Sequence, residues 1–165
     1  MSLCAHYNLA LYLVAAGRLD EAADQLEMDE PLYRHFPEPW AQLRLLWLNG
    51  DIAAGKGDLA AAERAYLQTR EGFTAHHMGY DAAMVSLDLA ALHLEAGLLA
   101  DVQQLAEEML PIFQAQVVDR ETLAAIRLFQ EAARRQEVTV EKVRELATRL
   151  RREWPANVPP SRPSG

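Results

Sequence analysis

LYLVAAGRLDEAADQL (residues 11–26), GDIAAGKGDLAAAERAY (50–66) and LHLEAGLLADVQQLA (92–106) repeat one phrase three times. Each runs from an apolar stretch through a glycine to a second alanine- and leucine-rich stretch. The glycines are Gly17, Gly57 and Gly97, spaced by 40 residues each time. A glycine at the end of an apolar helix supplies the left-handed backbone that stops it, and a leucine two residues on begins the next. Asp20 and Asp58 then place negative charge near a helix N-terminus, where the helix dipole favours it. The phrase therefore encodes a helix, a tight turn and a second helix. Four beats of 40 nearly fill the 165 residues.

The small and aromatic positions around these turns resemble the tetratricopeptide repeat. In the first copy Ala10, Gly17, Leu19 and Ala22 take the places of the small first-helix residue, the turn glycine, the large residue after it and the alanine at the helix crossing. Gly50, Gly57, Leu59 and Ala62 fill them in the second, with Tyr66 further along as the aromatic. The third copy has Ala90, Gly97 and Leu99 but Val102 at the crossing, and the fourth has Glu137 where the glycine should stand. The likeness covers roughly residues 4–153, and its period exceeds the usual 34. It implies an all-α fold, a right-handed superhelical stack of about four antiparallel helical hairpins. It also implies a protein-binding scaffold, and more loosely it is similar to the C-terminal repeat segments of bacterial multidomain regulators.

The pattern predicts helices over about 3–16, 19–30, 39–55, 58–75, 80–96, 99–115, 120–136 and 139–153. Pro31 should end the second, and Pro37–Pro39 should force a loop before Trp40. Thr139 should cap the last. The expected organisation is one repeat domain over 1–154 and a disordered proline-rich tail over 155–165.

Half of the residues are apolar and the formal net charge is −8. That charge is uneven: residues 1–119 hold 6 basic and 18 acidic side chains, whereas 120–153 hold 9 basic and 6 acidic. An acidic body disfavours nucleic acid as a partner. No apolar run is long enough to predict a membrane span. A single cysteine, Cys4, without a secretory leader fits the reducing cytoplasm.

Residues that could carry chemistry fit the repeat better. Gly50 to Gly57 matches the first seven positions of a phosphate-binding loop, but Gly57 stands where serine or threonine must hold magnesium. The segment also falls inside a predicted helix. His76 and His77 are adjacent and have no ligand three or four residues away, so neither predicts a zinc site. No serine or cysteine nucleophile has a recognisable base, and the paired carboxylates at Asp29–Glu30 and Glu107–Glu108 lie on charged helices. The expectation is a protein that is not an enzyme and carries no cofactor or metal.

Partners of tetratricopeptide relatives lie along a concave groove formed by the first helix of each hairpin. Carrying that register over places Tyr7 and Leu11, then Arg44, Trp47 and Asp51, on the groove. Met84, Leu87 and Ala91 follow, then Arg127, Glu131 and Arg134. The lysines that grip a terminal carboxylate in some relatives are missing from these places. Trp47 is the expected anchor, because a tryptophan contributes much contact area at small entropic cost. The expected role is a scaffold that holds a peptide or protein within a larger regulatory or signalling protein. A second role is open. The first helix is apolar almost all round and predicts a homodimer or an extended array through Leu3, Leu9 and Leu13.

Overall fold

The computed structural model describes residues 2–115 and 120–153; the tail expected over 155–165 lies outside the described residues. Eight helices fill the described residues: α1 (Leu3–Ala15), α2 (Leu19–Arg34), α3 (Pro39–Gly55), α4 (Leu59–Ala75), α5 (Gly79–Glu95), α6 (Leu99–Gln114), α7 (Arg120–Arg134) and α8 (Val140–Glu153). The protein is all-α, with no strand among those residues. No helix is long and apolar enough to cross a membrane.

The glycine turns form as the repeat requires. Gly17, Gly57 and Gly97 have φ of +73°, +82° and +75°. At each, the glycine N–H bonds a carbonyl three residues back, and the following N–H reaches one five residues back. Arg18 N–H to the Leu13 carbonyl is 2.9 Å, and Asp58 to Ala53 is 2.9 Å. Leu98 to His93 is 2.8 Å. These paired bonds satisfy helix-end carbonyls that would otherwise face the turn unpaired.

The fourth turn is present one residue early. Gln136, not residue 137, takes the left-handed conformation at φ +56°, and Glu137 N–H bonds the Ala132 carbonyl at 2.8 Å. The lost glycine therefore changed the cost of this turn and left its geometry in place. His77 is left-handed too, at φ +58°, between α4 and α5.

Caps and prolines set the other boundaries. The Asp58 carboxylate accepts from Ala61 N–H at 3.0 Å, and Thr139 Oγ1 accepts from Lys142 N–H at 3.3 Å. Pro39 occupies the first turn of α3, where no N–H is needed. Pro31 does not end α2, which continues through it to Arg34. The ring is exposed in the last turn, and the one helix bond it removes is that to the carbonyl of Glu27, itself an exposed residue. Pro111 is accommodated in α6 in the same way.

The described residues fall into two compact units, the first ending at His77 and the second beginning at Met78. In the first unit α3 packs on both α1 and α2, and α4 packs on α3. Ala10, Leu13, Ala22, Leu26, Leu48 and Ile52 form its centre. Ala10 and Ala22 are fully buried, so the small residues let the helices approach. Gly50 acts likewise: a Cβ there would sit 2.8 Å from the Tyr66 ring. The phosphate-loop-like segment is thus the C-terminal half of α3 followed by a turn.

The second unit closes on itself. Helices α5, α6, α7 and α8 pack each against the next, and α8 returns against α5. A continuing stack would set α7 against α5, as α3 is set against α1. The closure is specific: Tyr80 donates from its hydroxyl to the Leu150 carbonyl at 2.9 Å, and Arg151 pairs with Asp88 at 3.1 Å. The Tyr80 ring meets Phe113 edge-on at 5.0 Å between centroids, a contact worth ~0.5–1.5 kcal/mol beyond burial. Helix α5 is buried continuously from Tyr80 to Leu87 and again at Leu89, Ala90, Leu92 and His93. Its buried Ser86 hydroxyl donates to the Ala82 carbonyl at 2.8 Å, so burial leaves that polar group satisfied.

Candidate functional site

Several residues expected to line a groove are instead buried within their own unit. Met84 and Leu87 are 3% and 0% exposed, inside the all-round burial of α5. Their i, i+3 spacing marks a helix face correctly, but that face is core. Ala91, one turn on, is half-buried. Trp47 is buried as well and meets the Phe73 ring of α4 edge-on at 6.0 Å. It fills the α3–α4 hairpin and is not an exposed anchor. Arg44 is 8% exposed, with its guanidinium 5.6 Å from the Tyr7 ring centre and 5.4 Å from that of Trp40. This stacking holds α1 and α3 together. Asp51 is half-buried and accepts from the Tyr66 hydroxyl at 2.8 Å. Leu11 packs, half-buried, against the centre of the first unit.

A polar cluster lies beside Arg44. The Asp29 carboxylate is 4% exposed, accepts from Gln25 at 2.8 Å and lies 2.7 Å from His6 Nδ1. Tyr33, from the same helix, is 1% exposed, and its hydroxyl has no hydrogen-bond partner among the described residues. Burial, helped by the nearby Asp29 carboxylate and opposed by Arg44, pushes its ionisation up to about 12. Nothing in the sequence marks this cluster, because its members are spread over three helices.

The first-helix surface is also smaller than expected. Leu3 and Leu13 are each 6% exposed and belong to the core. Leu9 is on the outside at 37%, and Tyr12, one turn later, is 63% exposed. The exposed edge of α1 is therefore Leu9 with Tyr12.

Arg127, Glu131 and Arg134 are exposed together on the solvent side of α7. Glu131 pairs with Arg135 at 2.8 Å and Arg134 with Glu107 of α6 at 3.4 Å. Beside them lies the feature the sequence reading missed, a cleft of about 570 Å³ between α7 and α8. Its floor is Ala125, Leu128, Phe129, Ala132, Val138 and Leu146. Its rim is Glu131, Arg135, Glu137, Lys142, Glu145 and Arg149.

Local sequence explains this cleft. The core stripe of α7 is Thr122, Ile126, Phe129 and Ala133. Ala125, Leu128 and Ala132 form a second apolar stripe one residue behind it, which faces the cleft. A leucine displaced by one place from the core stripe was the available signal. Leu128 is 71% exposed, beside charged side chains that keep the surrounding surface wet.

Among the described residues no three His, Cys, Asp or Glu side chains gather as a metal site would. No protein-family model matches the chain, nor does any curated protein or solved structure.

Proposed function

We propose that this chain is a protein-interaction module, built of hairpins that resemble the tetratricopeptide repeat, and that it holds a protein partner in the cleft between α7 and α8. One observation carries the reading: Leu128 is 71% exposed on an apolar floor that includes Phe129 and Leu146. Solvating that floor is unfavourable by roughly 25 cal/mol for each Å² of apolar surface, so a complementary apolar side chain gains by covering it. The rim alternates in charge and would fix the orientation of what binds. Three glycine turns at one spacing support the family likeness, and the return of α8 onto α5 is where this chain departs from a simple stack. The partner site accordingly moves from the expected concave groove, whose central residues are core, to the outer face of the last hairpin.

The test is affinity capture with the whole chain from cells that express it, comparing wild type with Leu128→Glu and with Leu67→Glu. Leu67 is an exposed leucine of α4, 45% accessible, and serves as a control for added charge. Partners retained by wild type and by Leu67→Glu, but lost with Leu128→Glu, are the expected result. Capture that ignores Leu128 would refute the placement of the site.

A further inference from the structure

The geometry points to a specific occupant of the α7–α8 cleft: we propose that it receives helix α1 of a second copy of this chain, with the Leu9 and Tyr12 edge facing the floor. This deepens the reading of the cleft as a docking site and rests on it. The first unit shows how hairpins in this chain are covered. Helix α3 lies against both α1 and α2, so a third helix fills the valley of a hairpin. The cleft is the valley of the α7–α8 hairpin, and Leu128 lies exposed within it.

Helix α1 has the complementary chemistry. It has no Asp, Glu, Lys or Arg, and its polar groups are His6, Asn8 and the hydroxyls of Tyr7 and Tyr12. Thirteen residues make a rod about 20 Å long. Placing the Leu9–Tyr12 edge, which has no ionic side chain, against an apolar valley leaves no ion unpaired, whereas the charged face of an ordinary surface helix would leave one.

Charge favours the same pairing. The α7–α8 hairpin has 9 basic and 6 acidic side chains over residues 120–153. The α1–α2 hairpin has the opposite balance over residues 3–34, with 6 acidic side chains against Arg18 and Arg34. Asp24 and Glu27 are exposed on α2, while the cleft rim itself is balanced, Glu131, Glu137 and Glu145 against Arg135, Lys142 and Arg149, so the attraction lies between the hairpins as wholes. Opposite net charge on the two hairpins speeds their encounter.

The two surfaces are different patches, so the contact is head-to-tail. Each copy then offers both an exposed α1 edge and an exposed cleft, and assembly can continue past two chains. A symmetric α1-to-α1 dimer would stop at two.

The experiment is light scattering on a sizing column at increasing concentration, with salt as a second variable. The mass of wild type is expected to rise beyond twice 18.5 kDa without levelling at the dimer. It is expected to fall back when salt screens the charges of the two hairpins. Tyr12→Glu and Leu128→Glu each remove one surface and should be monomeric alone. Mixed in equal amounts they should form a complex of two chains, since one brings an intact cleft and the other an intact helix edge. Both side chains are exposed, and unchanged circular dichroism would show that the variants fold.

Three results overturn the inference: a wild type that is monomeric throughout, a dimer abolished by Tyr12→Glu but indifferent to Leu128→Glu, or variants that do not complement when mixed. If Leu128-dependent capture of another protein survives any of these, the cleft still docks a partner and only the second-copy occupant fails. If Leu128→Glu alters neither assembly nor capture, both readings fail.

Discussion

Replacing Gln136 with glycine should stabilise the second unit, and replacing Gly57 with alanine should destabilise the first by a similar amount. Both residues occupy the same turn. Gly57 has φ +82° and Gln136 +56°, and each is followed by an N–H that bonds the carbonyl five residues back. A side chain in the left-handed region costs ~1–2 kcal/mol through contact of its Cβ with the backbone. Glycine avoids that cost but loses more chain entropy on folding, which offsets ~0.4–1 kcal/mol. The net change is about 0.5–1 kcal/mol, favouring glycine at both positions. A Cβ on Gly57 would meet nothing within 4 Å, so no packing clash enlarges the effect there. Gln136 is exposed, so its side chain has little packing to lose. Urea unfolding followed by circular dichroism reads the change as a shift in midpoint at constant slope. The expected melting shift is about 1–4 °C for a chain of this size. If Gln136→Gly destabilises, or Gly57→Ala leaves the first unit unchanged, then the turn does not select its residue through backbone conformation.

Trp47→Ala should lose ~3–5 kcal/mol of stability, because the ring is buried against Phe73; chemical denaturation checks this, and an unchanged midpoint would return Trp47 to the surface. Tyr80→Phe should cost ~0.5–1.5 kcal/mol by removing the hydroxyl that donates to the Leu150 carbonyl. In that variant, hydrogen exchange in α8 should rise. Tyr33→Phe should leave stability at neutral pH unchanged or slightly higher, since the buried hydroxyl has no partner among the described residues. The folded phenol ionises at about 12, above its ordinary value near 10, so its contribution is complete below 10 and is lost between 10 and 12. Wild type should therefore lose stability over that alkaline window more steeply than Tyr33→Phe, as melting curves across the range would show.

The hairpins were legible because their signals are local. A glycine, a leucine two residues on and the alanine at the crossing act within one turn, and the three copies repeat them. Thr139 and Pro39 were readable for the same reason. Pro31 misled because an exposed proline ring can give up one helix bond and still let the helix run on for another turn. The placement of side chains relative to a partner was less legible. Met84 and Leu87 differ from surface residues only because α5 is enclosed along its length, and that enclosure comes from helices far away in sequence. Arg44 reads as a groove charge until Tyr7 and Trp40 are found on either side of it. Leu13 and Leu9 look equivalent in a helix that is apolar all round, and only the packing of α2 and α3 separates core from edge. Leu128 carried a faint signal, one place off the core stripe, which a search for charged and aromatic anchors passes over.

The return of α8 onto α5 also orders events in time. Tyr80 and Leu150 are 70 residues apart in the chain, so their hydrogen bond closes a long loop. Every helix of the first unit meets a close neighbour in sequence, and that unit can assemble as it leaves the ribosome. The second unit has to wait for its last helix, with the side of α5 that α8 covers open until then. Truncation within α8 should thus unmake a whole unit, whereas an equal cut at the other end would remove helix α1 and leave α3 and α4 their mutual contact.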